Sequence, residues 1–541
     1  MNATKALETI RRYHEQTKHH PHRYASGPGY LDWANQPNPF REYAGAPSLD
    51  LPLADSDDSP LFVEVMSGKS VPARPLNLVT LSRFLEGSLG LSAWKQFGDS
   101  KWALRVNPSS GNLHPTEAYL VLPLIDGRAD IAGVHHYLSR DHRLEQRARA
   151  AGPDFVPSGG FWIALSSIPW REAWKYGERA FRYCQHDIGH ALAALRVSAQ
   201  ALGWKMHLVW NWTEPVLTRL LGLDRASEFL SEEPEHVEVL AWVSIDGQPA
   251  PCALPEPPSE WFGRANRLSR EQVAWPIIEE AMEASAWLVS GNKTISNTPA
   301  WGDPHPPSTR LSIDRIVRQR RSAVDYDGQT RLSLDLFLDI LDLTLPRTTV
   351  PPFNLGLGPA RVHLMLFVHR VDGIEPGIYA WVRQPSDLPV LRAAMHAEFT
   401  WHPVASTPEQ TPLYRLLSAD VKDFARAVSC NQDIAADSAF SLGMLAAFDP
   451  ILDGQDPATY RHLFWETGMI GQMLYLGAEA AGVRGTGIGC FFDDAVHRAL
   501  GLADHAWQSL YHFTIGGPVD DPRLITLPPY AHLATLRKIT V

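Results

Sequence analysis

The sequence predicts an α+β fold built twice in tandem, and two observations carry that reading: an internal repeat, and an order of elements that does not alternate strand with helix. Residues 105–116, RVNPSSGNLHPT, run into the apolar stretch 118–124, and a weaker copy lies 244 residues on. Pro108 falls on Pro352, Pro115 on Pro359, Leu120 on Leu364 and Gly133-Val134 on Gly377-Ile378. A second block repeats at an offset of 279, where Asp187 falls on Glu466, Gly189 on Gly468, Gly203 on Gly482 and Leu221-Gly222-Leu223 on Leu500-Gly501-Leu502. The second half therefore carries 35 additional residues between Ile378 and Glu466. At the first offset Ser109 and Ser110 fall on Phe353 and Asn354, so only one half kept the hydroxyls of this loop.

Each element follows from its local pattern. Residues 1–50, rich in His and Pro, are expected to wrap the surface as an arm. Leu78, Leu81, Phe84 and Leu85 stand at helical spacing, as do Leu334, Phe337, Ile340 and Leu341. Segments 178–203 and 464–482 are long apolar helices, each ended by a glycine at Gly203 or Gly482. Each half closes with a strand, 237–245 and 511–515. The run PAPCALPEPP and the polar stretch after it mark a linker. The domains are thus 1–255, a linker 256–308, and 309–541.

Composition excludes several classes. A net charge of −11 over 541 residues, with no basic run, argues against nucleic acid. No apolar stretch spans a bilayer and the polar start lacks a signal-peptide core, so a cytoplasmic protein without membrane partners is expected. The four cysteines, Cys184, Cys252, Cys430 and Cys490, are far apart in sequence and suggest neither a zinc ribbon nor a disulfide framework. Cys490 is expected to pack, not to react. His186 and His190 stand four apart on a helix, but Met469 faces His190 in the repeat and packing is expected; His14, His19, His20 and His22 are expected to form a polar surface segment. No metal site is predicted. Eighteen tryptophans fit core filling, or the walls of a flat apolar pocket.

The runs RVNPSSGNLHPTEAYLV, WKYGERAFRYCQHDIGHALAALRVSAQALGW and LDWANQPNPF, with IVRQRRSAVDYDG at 316–328, ETGMIGQMLYLGAEAAGVRGTGIGCFFDDAVHRALGL at 466–502 and TIGGPVDDPRL at 514–524, resemble the SagB-type branch of the FMN-dependent nitroreductase superfamily. The resemblance implies two nitroreductase-like domains, each an antiparallel-rich sheet flanked by helices, forming within one chain the pseudo-dimer that such proteins normally build from two subunits. It implies FMN at the interface, its phosphate held by an Arg-x-Ser motif and a late arginine of one half, its ring against a Pro-Ser loop of the other.

In the first of two possible sites, Arg320, Arg321 and Ser322 match the phosphate motif and Arg523 is the late arginine. Guanidinium and hydroxyl donors suit a phosphate dianion. Val324 stands where the family usually has another basic residue. Gly485, Gly487 and Gly489, with Ile488 between, fall in the segment whose amides approach the flavin edge, and Pro108, Ser109, Ser110 and Asn112 form the opposite wall. Arg105, just before that loop, is assigned to the anionic edge of reduced flavin. The second site would use Lys69 and Ser70 with 352–358, but Met206, Leu208 and Trp210 replace its three glycines, so one FMN per chain is expected. Lys175-Tyr176 matches a pair implicated in deprotonating azolines in SagB-type dehydrogenases, and burial lowers a lysine pKa in the direction a base requires. The expected activity is hydride transfer through flavin N5 on a small-molecule or peptide substrate. NAD(P)H-driven reduction of nitro compounds or quinones, with the nicotinamide binding transiently, is the alternative enzyme reading. A flavin-free scaffold subunit is the alternative of another class. A monomeric pseudo-dimer suffices for either enzyme.

Overall fold

A computed structural model describes residues 1–54, 58–128, 130–150, 152, 155–288, 301–404, 411–453 and 456–533. Each half is built on a seven-stranded antiparallel sheet. In the first, the strands run in the spatial order Ser48–Asp50, Arg143–Arg149, Gly133–Leu138, Thr116–Leu122, Gly160–Ser167, His236–Ser244, Lys205–Leu208. The second repeats that order with His402–Pro403, Leu413–Ser418, Gly377–Trp381, Val362–Val368, Phe440–Ala447, Trp507–Gly516 and Arg484–Ile488. The edge strands differ in origin, since the first sheet takes Ser48–Asp50 from the N-terminal arm and the second takes His402–Pro403 from the additional residues. Those residues also form helices Leu388–Ala394, Lys422–Val428 and Ile434–Asp437. The central strands are buried on both faces, which is why they read as continuous apolar runs.

Two 22-residue helices, Ala180–Ala201 and Thr459–Ala480, cross between the halves. They cross at the repeated glycines: a Cβ on Gly189 would overlap the Trp465 carbonyl, and one on Gly468 the His186 carbonyl. Only two glycines at the crossing allow backbones this close. Polar groups in the contact are matched, with Trp465 Nε1 donating to Gln185 Oε1 at 2.7 Å and His186 Nδ1 lying 2.8 Å from the Thr467 hydroxyl. Arg182 and Arg179, from the first half, pair with the buried Asp493 of the second at 2.9 and 3.4 Å, and hold its carboxyl well below the usual range against its burial.

The ends of the chain are exchanged between the halves. Helix Ala3–Gln16 packs on the second half, with Arg11 paired to Asp449 at 3.2 Å and Asp453 at 2.6 Å. Strand Ile525–Leu527 adds to the hairpin Leu91–Phe97 and Ser100–Arg105 of the first half. The arm is only partly a surface segment: His14 and His19 are buried, because His14 reaches Tyr460 and Gln508 and His19 sits on Asp493. The linker 256–308 is also no plain tether. Arg264–Ala265 pairs with Tyr43–Ala44, and helix Pro276–Ala284 lies against the N-terminal helix; residues 289–300 lie outside the described residues. Among the described residues no helix is long and apolar enough to cross a membrane.

Candidate active site

A cavity of about 830 Å³ opens between the halves. Its first-half wall is the turn after strand Ser100–Arg105, where Pro108, Ser109, Ser110, Gly111 and Asn112 line it, backed by Tyr176, Tyr183 and Asp187 from the helices behind. Its second-half wall comes from the end of helix Ile313–Gln319 and from the edge strand Arg484–Ile488. Arg320, Arg321, Ser322, Gly487, Ile488 and Gly489 all face it.

The cationic end is under-compensated. Arg320 is 4% exposed; its Nη2 donates to the Arg105 carbonyl at 3.3 Å and its guanidinium lies 4.7 Å over the Tyr475 ring, while Nε and Nη1 have no partner. Burial lowers its pKa. Arg321 donates to the carbonyls of Arg318 and Arg320 at 2.7 and 2.6 Å, and burial with the neighbouring Arg320 charge brings it down to about 10. Lys95 and Arg484 line the same end, and burial followed by repulsion from Arg321 and Arg484 lowers Lys95. A buried guanidinium with two idle donors is costly until an anion meets it. The Ser322 hydroxyl pairs with the Tyr475 hydroxyl at 2.9 Å, which also accepts the Gly487 amide at 2.9 Å.

One assignment from sequence is corrected here. Arg523 does not reach the cavity: its side chain is 73% exposed and held by Asp521 at 2.7 Å, beside Phe97. Lys95, which comes from the other half, supplies positive charge instead, while Arg484 at the same end is paired with Asp520. Arg105 lines the cavity; its two Nη atoms donate to the Thr116 and Pro39 carbonyls at 3.2 and 2.6 Å, its Nε has no partner, and burial lowers its pKa to about 10. Gly487, Ile488 and Gly489 line the cavity, with the Gly487 amide donating to the Tyr475 hydroxyl at 2.9 Å, while Gly485 is outside the lining. The glycines are nevertheless required by space. A Cβ on Gly487 would overlap the Tyr511 hydroxyl, and one on Gly489 the Tyr183 ring.

Tyr176 lines the cavity and Lys175 stands behind it, the amine 5.3 Å from the Tyr176 ring centre. Both crowd Gly111, which has φ +61°; a Cβ there would come 2.6 Å from the Tyr176 hydroxyl and 3.2 Å from the lysine amine. Beside them is a pair of acids that sequence reasoning missed. Glu172 Oε1 accepts from the Ser109 hydroxyl and Asp187 Oδ1 from the Ser110 amide, both at 3.3 Å, and the second oxygen of each carboxyl has no partner. Burial raises both pKa values, and repulsion from Asp187 raises Glu172 further, so the pair retains a proton at neutral pH. Asp187 opens on the cavity. Its place in the repeat was visible in sequence; the absence of a cationic partner was not.

The repeat-related position is filled. Trp210 stacks on Trp465 at 6.4 Å and 14°, and meets Trp287 at 5.6 Å and 59°. Phe353 lies under the Arg383 guanidinium at 4.7 Å, and Asn354 accepts from Arg196 at 2.9 Å. Arg383 also pairs with Glu466, the counterpart of Asp187. Lys69 and Ser70 are exposed.

Other groups singled out in sequence fall into structural places. His186 stacks on Tyr511 at 4.3 Å behind the cavity wall, while His190 lines the cavity with its Nε2 3.3 Å from the Tyr511 hydroxyl. Glu15, His20 and Asp494 gather at the surface, but Lys18 already neutralises both carboxylates at 2.8 and 3.1 Å. Cys490 departs from expectation: it lines the cavity with its Sγ 2.6 Å from that of Cys430.

A duplicated α+β fold with an anion-seeking cavity between its halves defines the class structurally. Residues 317–517 match the model of the Nitroreductase family. The whole fold is that of a crystal structure from Anabaena variabilis assigned to the nitroreductases, with a TM-score of 0.69 at 22% identity over 94% of this chain and 99% of the other. The chain is also similar to the trifolitoxin-processing protein TfxB of Rhizobium leguminosarum bv. trifolii, 31% identical over 132 residues, or 22% of this chain and 35% of that protein's length. A chain in the E. coli microcin synthetase McbBCD complex aligns over 45% of this chain and 94% of its own length, at 16% identity and a TM-score of 0.27.

Proposed function

We propose that the protein is an FMN-dependent oxidoreductase with one flavin per chain, acting as a SagB-type dehydrogenase that oxidises azolines or related C–N bonds in a peptide natural product. The observation that carries this reading is Arg320, buried at the cavity end with two unused donors among further cations. A phosphate monoester fits that donor set, and about 830 Å³ accommodates a flavin-sized ligand. Arg320 would hold the phosphate, with Lys95, Arg321 and Arg484 adding field. Ser109, Ser110 and Asn112 would face the ring with hydroxyl and amide groups. When bound, FMN supplies a two-electron hydride acceptor.

The chain's own residues handle the proton and the water. Tyr176, Tyr183 and Tyr511 wall the cavity with apolar faces and exclude solvent. Oxidation of a C–N bond also releases a proton. Asp187, when it is the ionised member of its pair with Glu172, can accept that proton at Oδ2, with the Lys175 amine standing close by behind Gly111. The similarity to a protein named for trifolitoxin processing supports a peptide substrate. The single chain supplies both halves of the interface, so a monomer suffices.

The purified protein is expected to be yellow, with an absorbance band near ~450 nm and a flavin to chain ratio near one. A colourless protein that takes up no added FMN would overturn the reading, and a ratio near two would overturn the single site. Steady bleaching by NADPH without peptide would favour the nitro and quinone reductase, while unchanged turnover of a peptide substrate by Lys175→Ala would remove that lysine from the chemistry.

A further inference from the structure

Cys430 and Cys490 are 60 residues apart in sequence and were expected to be unrelated. The fold brings them together where the strand Arg484–Ile488 ends and the turn after helix Lys422–Val428 begins. Their sulfurs are 2.6 Å apart. The arrangement is held from several sides. Gln432 Nε2 donates both to the Ser429 carbonyl at 2.8 Å and to the Cys490 carbonyl at 3.1 Å, and the Phe492 amide donates to the Val428 carbonyl at 2.8 Å. Cys430 itself is in the left-handed region at φ +54°, followed by Asn431 at +58°, a strained turn that aims the Cys430 side chain at the strand end.

The surroundings favour a thiolate on one sulfur. His19 Nδ1 accepts the Ala25 amide at 3.0 Å, so the proton of the neutral ring is on Nε2, free to be donated. Arg179 donates to the Gly489 carbonyl at 3.1 Å and lies 5.0 Å over Phe491. Contact with Cys430, then His19 and Arg179, lowers the Cys490 pKa against its burial, while contact with Cys490 and burial raise that of Cys430. Both sulfurs are partly exposed, and Cys490 lines the cavity directly after Gly489. Cys184 is buried and Cys252 is exposed without a cysteine neighbour, so neither shares this setting.

We propose that Cys430 and Cys490 are a redox-active dithiol and disulfide pair in the cavity wall, exchanging two electrons with a low-molecular-weight disulfide of the glutathione class. In the forward direction the Cys490 thiolate attacks one sulfur of the small disulfide. A new S–S bond forms to Cys490, the old one breaks, and one thiolate leaves. Cys430 then loses its proton and attacks the Cys490 sulfur, expelling the second thiolate and closing the Cys430–Cys490 bond. Two protein thiols are oxidised, one small disulfide is reduced to two thiols, and the two protons of the cysteines end on the released thiolates. The pair works in the absence of any flavin, so its success or failure is separate from that of the proposed function.

The test uses the full-length protein equilibrated in buffers of defined glutathione to glutathione-disulfide ratio, then alkylated under denaturing conditions and mapped by peptide mass spectrometry. Flavin content is read separately by absorbance. We expect one cross-linked peptide pair, Cys430 with Cys490, whose population rises with oxidant and returns fully to two alkylated thiols with reductant, while Cys184 never enters the cross-link. Cys430→Ser should accumulate glutathione on Cys490, and Cys490→Ser should leave Cys430 several-fold less glutathionylated. Alkylation of both cysteines at every buffer ratio overturns the pair. Equal glutathionylation of the two single variants overturns the assignment of Cys490 as the attacking sulfur. If either variant fails to fold, the wild-type cross-link alone decides the pair.

Discussion

At one junction between the halves, Ser109, Gly487 and Gly489 border an open cavity; at the repeat-related junction Phe353, Leu208 and Trp210 stand in their places, packed among Trp287, Trp465 and Arg383. The backbones are alike, strand for strand. What differs is which side chains the same scaffold holds at equivalent points. The carboxyls make the contrast sharpest. Glu466 has Arg383 and the Arg361 amide, whereas Asp187 is left with an amide at 3.3 Å and an idle oxygen. Satisfying a buried acid makes it structural, and leaving it short of partners makes it available for proton chemistry.

Single substitutions should affect the two junctions differently. The largest effect is expected from Trp210→Ala, which empties the packed junction and should cost about 3–5 kcal/mol of stability in urea unfolding while flavin content stays at one per chain. A second flavin in that variant would show that bulk alone closed the site. Arg320→Ala removes two donors from the open site and should weaken FMN about 100-fold, on the order of 3 kcal/mol for charge-assisted bonds, as followed by flavin fluorescence titration. Lys69→Ala should leave the affinity unchanged, and an equal loss there would reverse the assignment of the two sites. Gly487→Ala drives a methyl into the Tyr511 hydroxyl and should destabilise the protein by about 1–3 kcal/mol in thermal melts.

A smaller, pH-dependent effect is expected from Asp187→Asn. The Asp187 pKa is raised on folding from its ordinary value of 3.8, so its folded-state contribution is intact below that value and is lost as the pH climbs through the raised one. The variant lacks that loss, and its melting temperature relative to the parent should rise from pH 5 to pH 8; a constant difference would mean that the pair carries no retained proton. Arg523→Ala should be the mildest, with FMN affinity within about twofold of the parent, because its guanidinium is turned to solvent and Asp521.

The duplication, the central helices and the Pro-Ser loop were legible because they rest on local spacing and on repeated glycines such as Gly189 and Gly468. Arg523 was misplaced because a family resemblance fixes a residue's position along the chain, and not the rotamer that Asp521 then captures. The burial of His14 and His19, like the docking of helix Pro276–Ala284, depends on which half the terminal arm packs against, and helical periodicity is silent on that. Glu172 with Asp187, and Cys430 with Cys490, are pairs made by turns distant in sequence. One aligned chain shows each member but not its neighbour.

The crossed-over ends of the polypeptide act like two hands each holding the other's wrist. Tyr530, at the far end of the chain, accepts the Leu91 amide at 2.8 Å, while Arg11, at the near end, grips the opposite lobe. Prising the lobes apart would require stripping a strand and a helix at the same moment. Anything that enters the crevice must therefore pass a mouth bordered by lobes that both clasps hold together.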